Sequence, residues 1–177
     1  MPGIYKPCEY SYLMSKVLED AIPELLKSDA NFKFLEIGSG SGINLETALK
    51  CGIKKENILG TDINNDAVKC CKQLGFKCIK SDLFGKIKGK YDLIIFNTPY
   101  LPEDKFDKNP DTSGGKKGGE ITSRFLKQAK KHLAKNGKII LLTSSITKGI
   151  DFQGYRKKIL ADKNLFFEKL FVLEISL

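Results

Sequence analysis

The stretch Phe34-Leu35-Glu36-Ile37-Gly38-Ser39-Gly40-Ser41-Gly42 constrains this chain more than any other. An apolar run too short for a helix meets three alternating glycines, and a helical pattern opens directly behind them. Glycine lacks a Cβ, so such a turn lets the backbone come up against a ligand. A strand that ends this way and feeds a helix is a building unit of alternating α/β folds, which bind ligands at the carboxyl ends of parallel strands.

The remaining chain supplies further units of the same kind. Apolar residues at helical spacing (Leu13, Val17, Leu18, Ile22, Leu25, Leu26) predict a helix over 11–27, bent or divided by Pro23. Strands are expected at 32–37, 57–61, 76–80, 91–96 and 138–143. Helices are expected from 43 to about 51, from an Asn64 or Asn65 cap to 73, from 120 to 133 with Asn136-Gly137 closing it, and over 152–163. Residues 101–119, rich in Pro, Asp, Gly and Lys, read as a loop, and 166–176 as one or two strands. The expectation is a single α/β domain of 177 residues with a doubly wound, mostly parallel sheet of the seven-stranded, Rossmann-like type and helices on both faces. Residues 1–30 form its helical entry segment and 31–177 its catalytic core.

Composition narrows the class. With 41% apolar and 29% charged residues, no apolar run of membrane-helix length and no signal-peptide core at the start, the chain reads as cytoplasmic and not membrane-bound. Cys8, Cys51, Cys70, Cys71 and Cys78 contain no C-x-x-C pair, and His132 is the lone histidine, so neither a metal site nor a disulfide framework is expected. The net charge of +9 would suit a nucleic acid or an acidic partner. It is carried by lysine, however, with Arg124 and Arg156 the only arginines, whereas base readout prefers arginine. Most of these lysines therefore read as solvated surface.

Three acids mark three successive strand ends. Glu36 lies inside the first. Asp62, twenty residues beyond Gly42, ends the second, where a carboxylate suits the two hydroxyls of a ribose. Asp82, twenty residues further, ends the third, where it can accept from an adenine amino group while Ile63 and Leu83 flank the ring. A dinucleotide site spaces its glycines G-x-G-x-x-G and presents helix amides to a pyrophosphate. Here the spacing is G-x-G-x-G, and Glu36 would oppose a phosphate. An acidic rim suits a cationic nucleoside, S-adenosylmethionine, with Glu36, Gly38, Gly40, Asp62, Ile63, Asp82, Leu83 and Asn97 as its candidate binding residues.

The fourth strand stops at Asn97-Thr98-Pro99-Tyr100, the candidate catalytic segment. The Asn97 side-chain oxygen and the Thr98 backbone carbonyl can each accept one hydrogen of an NH2 group. Tyr100 can stack on a flat acceptor, and Pro99 stiffens the turn. Catalysis by such a set is largely positional and needs no shifted base.

The combination of E-x-G-x-G-x-G, an acid at the second strand end and Asp82-Leu83 at the third resembles the class I methyltransferase pattern over nearly the whole chain. Asn97-Thr98-Pro99-Tyr100 resembles the N-P-P-Y signature of enzymes that methylate planar nitrogens: glutamine amides, adenine N6 and guanine N2. Thr98 replaces a proline, keeping the carbonyl with some loss of rigidity. Tyr5-Lys6-Pro7-Cys8-Glu9-Tyr10-Ser11-Tyr12-Leu13 resembles the Y-x-P-x-E-D-[ST]-[FY]-L entry of the HemK-related eukaryotic and archaeal release-factor glutamine methyltransferases, with Tyr10 in place of an aspartate. Gly114-Gly115-Lys116-Lys117-Gly118-Gly119-Glu120, followed by Arg124 and Phe125, resembles their glycine-rich loop.

That resemblance implies methylation of the glutamine in the Gly-Gly-Gln tip of a class 1 peptide chain release factor. It also implies Ser11 near the cofactor, although capping the first helix is an equal reading of that residue. The third strand, from Phe76 to Lys80, should be the sheet edge and could pair with a small zinc-binding methyltransferase activator, or be a plain protected edge. The runner-up is a nucleic-acid amino-methyltransferase, favoured by the charge and opposed by the lack of an appended recognition module. A non-catalytic cofactor-binding protein is the third reading, supported by Thr98 alone.

Overall fold

The computed structural model describes residues 8–27, 31–103 and 113–177. Tyr5-Lys6-Pro7 and most of the 101–113 loop lie outside the described residues. In chain order the elements are helix α1 (Glu9–Leu26), strand β1 (Phe34–Ile37), helix α2 (Ile43–Lys50), strand β2 (Ile58–Asp62), helix α3 (Asn65–Gln73), strands β3 (Lys77–Lys80) and β4 (Tyr91–Asn97), short strands β5 (Leu101–Pro102) and β6 (Ser113–Gly115), helix α4 (Glu120–Ala129), and strands β7 (Leu133–Ser144), β8 (Arg156–Asn164) and β9 (Lys169–Ser176).

Seven strands form one sheet in the order β3-β2-β1-β4-β7-β9-β8. Strands β3 to β7 are parallel, and β9 runs antiparallel to β7 and to β8. Chain direction across the sheet reverses between β1 and β4, the switch point at which open α/β sheets leave a crevice. The third strand is a sheet edge, as the sequence implied.

Strand alternation builds two cores. Phe34, Leu93, Ile95, Ile140 and Leu142 pack with Leu18, Leu45 and Val68 of helices α1 to α3. Leu35, Ile37, Ile94, Phe96, Ile139 and Leu141 face the other way, onto Phe125, Leu126 and Ala129 of α4. Period-two alternation and burial on both faces explain why the central strands are almost wholly apolar. Asn64 caps α3 by accepting from the Asp66 amide at 2.8 Å, as expected. Helix α1 runs through Pro23.

Three local expectations need correction. The helix expected over 152–163 is replaced by strand β8, which pairs along its length with β9. Lysine, leucine and alanine favour a helix locally, but pairing with β9 overrides that weak preference. Its run of basic, largely exposed side chains is suited to an outer strand that must not pair further. Helix α4 stops at Ala129, four residues early, because the Tyr91 amide takes the His132 carbonyl at 2.8 Å and draws the chain into the sheet. Asn136-Gly137 does not close that helix; it sits where β7 shifts register against β4, with Asn136 left-handed (φ 65°) and Gly137 too close to the Tyr91 carbonyl for a Cβ. Finally, the N-cap of α1 is Cys8, so Ser11 lies within the helix and does not cap it.

Candidate active site

A cleft of about 300 Å³ opens at the carboxyl ends of β1, β2, β3 and β4. Its wall brings together ten of the sequence-selected residues: Gly38, Gly40, Asp62, Ile63, Asp82, Leu83, Asn97, Thr98, Pro99 and Tyr100. Candidates separated by as many as 62 positions thus share one cavity of small-ligand size.

The glycine turn shapes one end. Gly38 has φ +69°, and a Cβ there would lie 3.2 Å from the Phe96 ring. Gly42, at φ +86°, starts α2 where a Cβ would meet Leu74 at 2.9 Å. The turn is locked to the second strand end because the Gly40 amide donates to Asp62 Oδ2 at 2.9 Å, while the Asn64 amide donates to Oδ1 at 2.8 Å. Asp62 is thereby fixed in orientation on the cleft wall.

Two expected cofactor residues do not reach the wall. Ser11 is buried in α1. Glu36 lies fully buried beside the turn, with Oε1 accepting from Asn44 Nδ2 at 2.7 Å and Oε2 without a partner among the described residues. Burial pushes its carboxyl well above the usual carboxylate range; the Asn44 bond opposes this, and the nearby Asp62 charge adds to it. Ser15 Oγ donates to Asn44 Oδ1 at 3.0 Å, tying this buried network to α1.

Asp82 lies on the wall as expected, but its Oδ1 accepts from Arg124 at 2.7 Å. Both side chains are about half exposed, so the pair contributes little to stability. Sequence reasoning placed Arg124 in a motif without giving it a role, and it missed Phe96, Ile121 and Tyr10 as wall residues. Phe96 was legible in principle, since strand alternation aims it at the face of α4.

The Asn97–Tyr100 end is built from backbone packed on backbone. A Cβ on Gly114 would sit 2.5 Å from the Pro99 carbonyl oxygen, and one on Gly118 would strike the Tyr100 carbonyl. The glycine-rich loop therefore lets β6 lie directly on the strand-end segment, where Leu101 pairs with Ser113. Thr147 Oγ1 donates to the Tyr100 carbonyl at 3.0 Å from the other side. Thr98 is buried, and its hydroxyl donates to the Leu142 carbonyl of β7 at 3.0 Å. The rigidity expected to be lost with the missing proline is supplied by this tether. Tyr10 and Tyr100 stand edge to face, ring centroids 5.7 Å apart at 61°, and burial raises the Tyr10 hydroxyl above its usual value.

The chemistry of this wall fits S-adenosylmethionine. Asp62 and Asp82 line it, Glu36 leaves a bare buried oxygen close by, and the one cation among the described lining residues, Arg124, is already engaged by Asp82. Such a rim favours a cationic nucleoside and opposes a pyrophosphate.

Comparison with known proteins agrees. Residues 14–151 match the family model described as the methyltransferase small domain. The chain belongs to the HemK-related class I methyltransferases. A relative from Methanocaldococcus jannaschii, provisionally named a protein N5-glutamine methyltransferase, is 36% identical over 97% of this chain and 91% of its own. The methyltransferase HEMK2 of Mus musculus is 30% identical over 79% of this chain and 71% of its own. The E. cuniculi Mtq2–Trm112 complex, described as responsible for methylating the termination factor eRF1, superposes with a TM-score of 0.75 at 23% identity, covering 98% of both chains. Within this class of methyltransferase, S-adenosylmethionine is the cofactor of the cleft.

Proposed function

We propose that this methyltransferase modifies the side-chain amide nitrogen of the glutamine in the Gly-Gly-Gln tip of a class 1 peptide chain release factor. The observation that carries the reading is the Asn97–Thr98 strand end, held rigid by the Leu142 tether and opening into the same cleft as Asp62. The full-length similarity to the M. jannaschii relative supports it further.

Bound S-adenosylmethionine supplies an electrophilic methyl group on a sulfonium. The chain's own residues do the rest. Asp62, oriented by the Gly40 and Asn64 amides, would hold the ribose hydroxyls, and Ile63 and Leu83 would contact the base. Asn97 Oδ1 and the Thr98 carbonyl would accept the two N–H groups of the acceptor amide, which fixes the amide plane so that one face of the nitrogen, where the lone pair develops as the bond forms, meets the incoming methyl. As the N–C bond forms, the methyl–sulfur bond would break with its electron pair left on sulfur as the neutral thioether S-adenosylhomocysteine, and one N–H proton would depart to solvent, leaving a neutral N-methyl amide. Holding the reactants this way accounts for much of the rate in a positional mechanism.

The edge strand β3 hydrogen-bonds to β2 alone within the sheet and presents exposed Lys77 and Lys80. It is the strand on which a small activator subunit would add by edge pairing, as the known complex of the E. cuniculi neighbour with Trm112 makes reasonable. Full activity of the protein alone, with no partner on co-purification, would sink that part of the proposal. Among the described residues no helix is long and apolar enough to cross a membrane. A translation factor as substrate places the reaction in the cytoplasm.

The test is mass spectrometry of the tip peptide after incubation with this protein and S-adenosylmethionine, beside parallel incubations with RNA and DNA. A gain of one methyl on the tip glutamine, absent when that glutamine is alanine, supports the reading. Methylation of amino-bases alone overturns it in favour of the nucleic-acid alternative, which the +9 charge keeps in view.

A further inference from the structure

Three hydroxyl groups from three separate elements converge on one buried carboxylate. Tyr10 Oη, from the first turn of α1, donates to Glu168 Oε1 at 3.3 Å. Tyr100 Oη, from the acceptor segment, approaches the same oxygen at 3.5 Å. Ser144 Oγ, at the end of β7, donates to Oε2 in a short bond. Glu168 itself stands in the turn between β8 and β9 and is only 7% exposed. That turn is closed by the Leu165 amide donating to the Glu168 carbonyl at 2.8 Å. No ion pair among the described residues involves Glu168.

A buried charge without a cation is costly, and a fold that needed only to fill this space would place an apolar residue there. What the carboxylate supplies is a shared acceptor that three hydroxyls can use at once. Two of those hydroxyls belong to Tyr10 and Tyr100, which both line the cleft, whereas Glu168 does not. A phenol ring pinned at its hydroxyl loses freedom to swing about its side-chain torsions, so the edge-to-face angle of the pair is set from behind by Glu168.

We infer that Glu168 is a positioning residue for methyl transfer: it fixes Tyr10 and Tyr100 as the two walls of the slot that receives the planar acceptor. The inference rests on the acceptor reading above, in that this slot is where the acceptor amide enters. It assigns a role in acceptor capture to the β8–β9 turn, 71 positions beyond Asn97 and outside every motif of the sequence. Cofactor binding, at the Gly40–Asp62 end, does not depend on it.

The test uses the full chain and combines Glu168→Gln with Tyr10→Phe and Tyr100→Phe in a double-mutant cycle. A glutamine offers one oxygen and one NH2 group, so the three hydroxyl donors can no longer all be satisfied. Glu168→Gln is expected to raise the acceptor KM about tenfold, the scale of a hydrogen bond to a charged group. Cofactor Kd should hold within about twofold. In the Tyr10→Phe/Tyr100→Phe background the same change should add almost nothing, because the hydroxyls through which Glu168 acts are gone.

An acceptor-independent readout separates this role from the substrate assignment. Carbon-13 labelling of the six tyrosine rings reports each hydroxyl. Glu168→Gln should shift the Tyr10 and Tyr100 ring signals and leave Tyr91 and Tyr155 in place. Unmoved Tyr10 and Tyr100 signals, fully multiplying mutational effects, or equal losses in cofactor and acceptor binding each overturn the role. Should Glu168→Gln fail to fold, Ser144→Ala removes one anchor of the carboxylate, and the same ring signals are expected to move. A wild-type protein inactive on release factor overturns the acceptor reading, while the ring shifts still decide whether Glu168 orders the slot.

Discussion

Replacing Thr98 with valine removes one hydroxyl from the acceptor segment and keeps its shape. In the structure that hydroxyl is buried and donates to the Leu142 carbonyl at 3.0 Å, tying the end of β4 to β7 just past their last paired residues, Asn97 and Leu142. Loss of the bond leaves a buried carbonyl with one partner fewer, a cost of about 1 to 2 kcal/mol. For a chain of this size that corresponds to a fall in Tm of roughly 3 to 6 °C. The functional consequence is of similar size, because in the proposed mechanism the Thr98 carbonyl is one of two acceptors that orient the incoming amide. With a single partner misplaced by a fraction of an ångström, kcat should fall about tenfold while cofactor Kd stays unchanged. Thr98→Pro sharpens the experiment. It restores stiffness by fixing φ within a ring and supplies no hydroxyl. Proline should therefore recover part of the turnover lost in the valine variant while remaining less stable than wild type. Thermal unfolding and steady-state kinetics on the tip peptide give both numbers from one preparation. Wild-type turnover in Thr98→Val, whatever its Tm, would falsify the claim that the tether positions the carbonyl.

Asn97→Ala should lower transfer by about 100-fold or more, in line with loss of a preorganised polar contact at a reacting centre, while calorimetry shows cofactor affinity falling far less; near-normal turnover would refute the mechanism. Gly118→Ala puts a methyl group against the Tyr100 carbonyl and also strains a left-handed residue (φ +86°), so it should distort the acceptor segment and abolish activity at a cost of several kcal/mol, read by denaturant unfolding. A Gly118→Ala protein of normal stability and activity would mean that the loop does not pack on that segment as described. The buried Glu36 carboxyl, raised in the fold, takes up a proton on folding, so its contribution is fully present below its unfolded value near 4.5 and is lost as pH rises toward the folded value. Glu36→Gln should therefore gain on the wild type as pH increases above that point, and parallel stability curves for the two proteins would contradict the assignment.

How much of this could be read from the chain depended on the range over which each residue acts. The glycine turn, the acids at Asp62 and Asp82 and the Asn97 segment were legible because each is the last word of a strand, and strand ends in a parallel sheet converge by topology. Ten candidates met in one cleft for that reason. Thr98 was legible as a departure but not as a solution, since Leu142 lies 44 positions away and nothing local signals a hydroxyl-to-carbonyl tether. Strand β8 was misread for a related cause. Its lysines, leucine and alanine suit a helix taken alone, and only β9, which follows it, makes an edge strand of them.

The same distinction explains why the glycine-rich loop was matched by resemblance before its purpose was visible. Gly114 and Gly118 contribute no side chain to the cleft. They are required because two backbones, 114–118 and 99–100, must lie closer than a Cβ allows, and that requirement exists only once the chain has folded. Glu168 is the extreme case. A glutamate after two phenylalanines carries no local signature, yet its carboxylate gathers hydroxyls from positions 10, 100 and 144. Sequence motifs thus mark the groups that would touch cofactor and acceptor, which the chemistry restricts to a few residue types. The groups that hold them in place can come from any residue that reaches, so the supporting shell of this site had to be found in space.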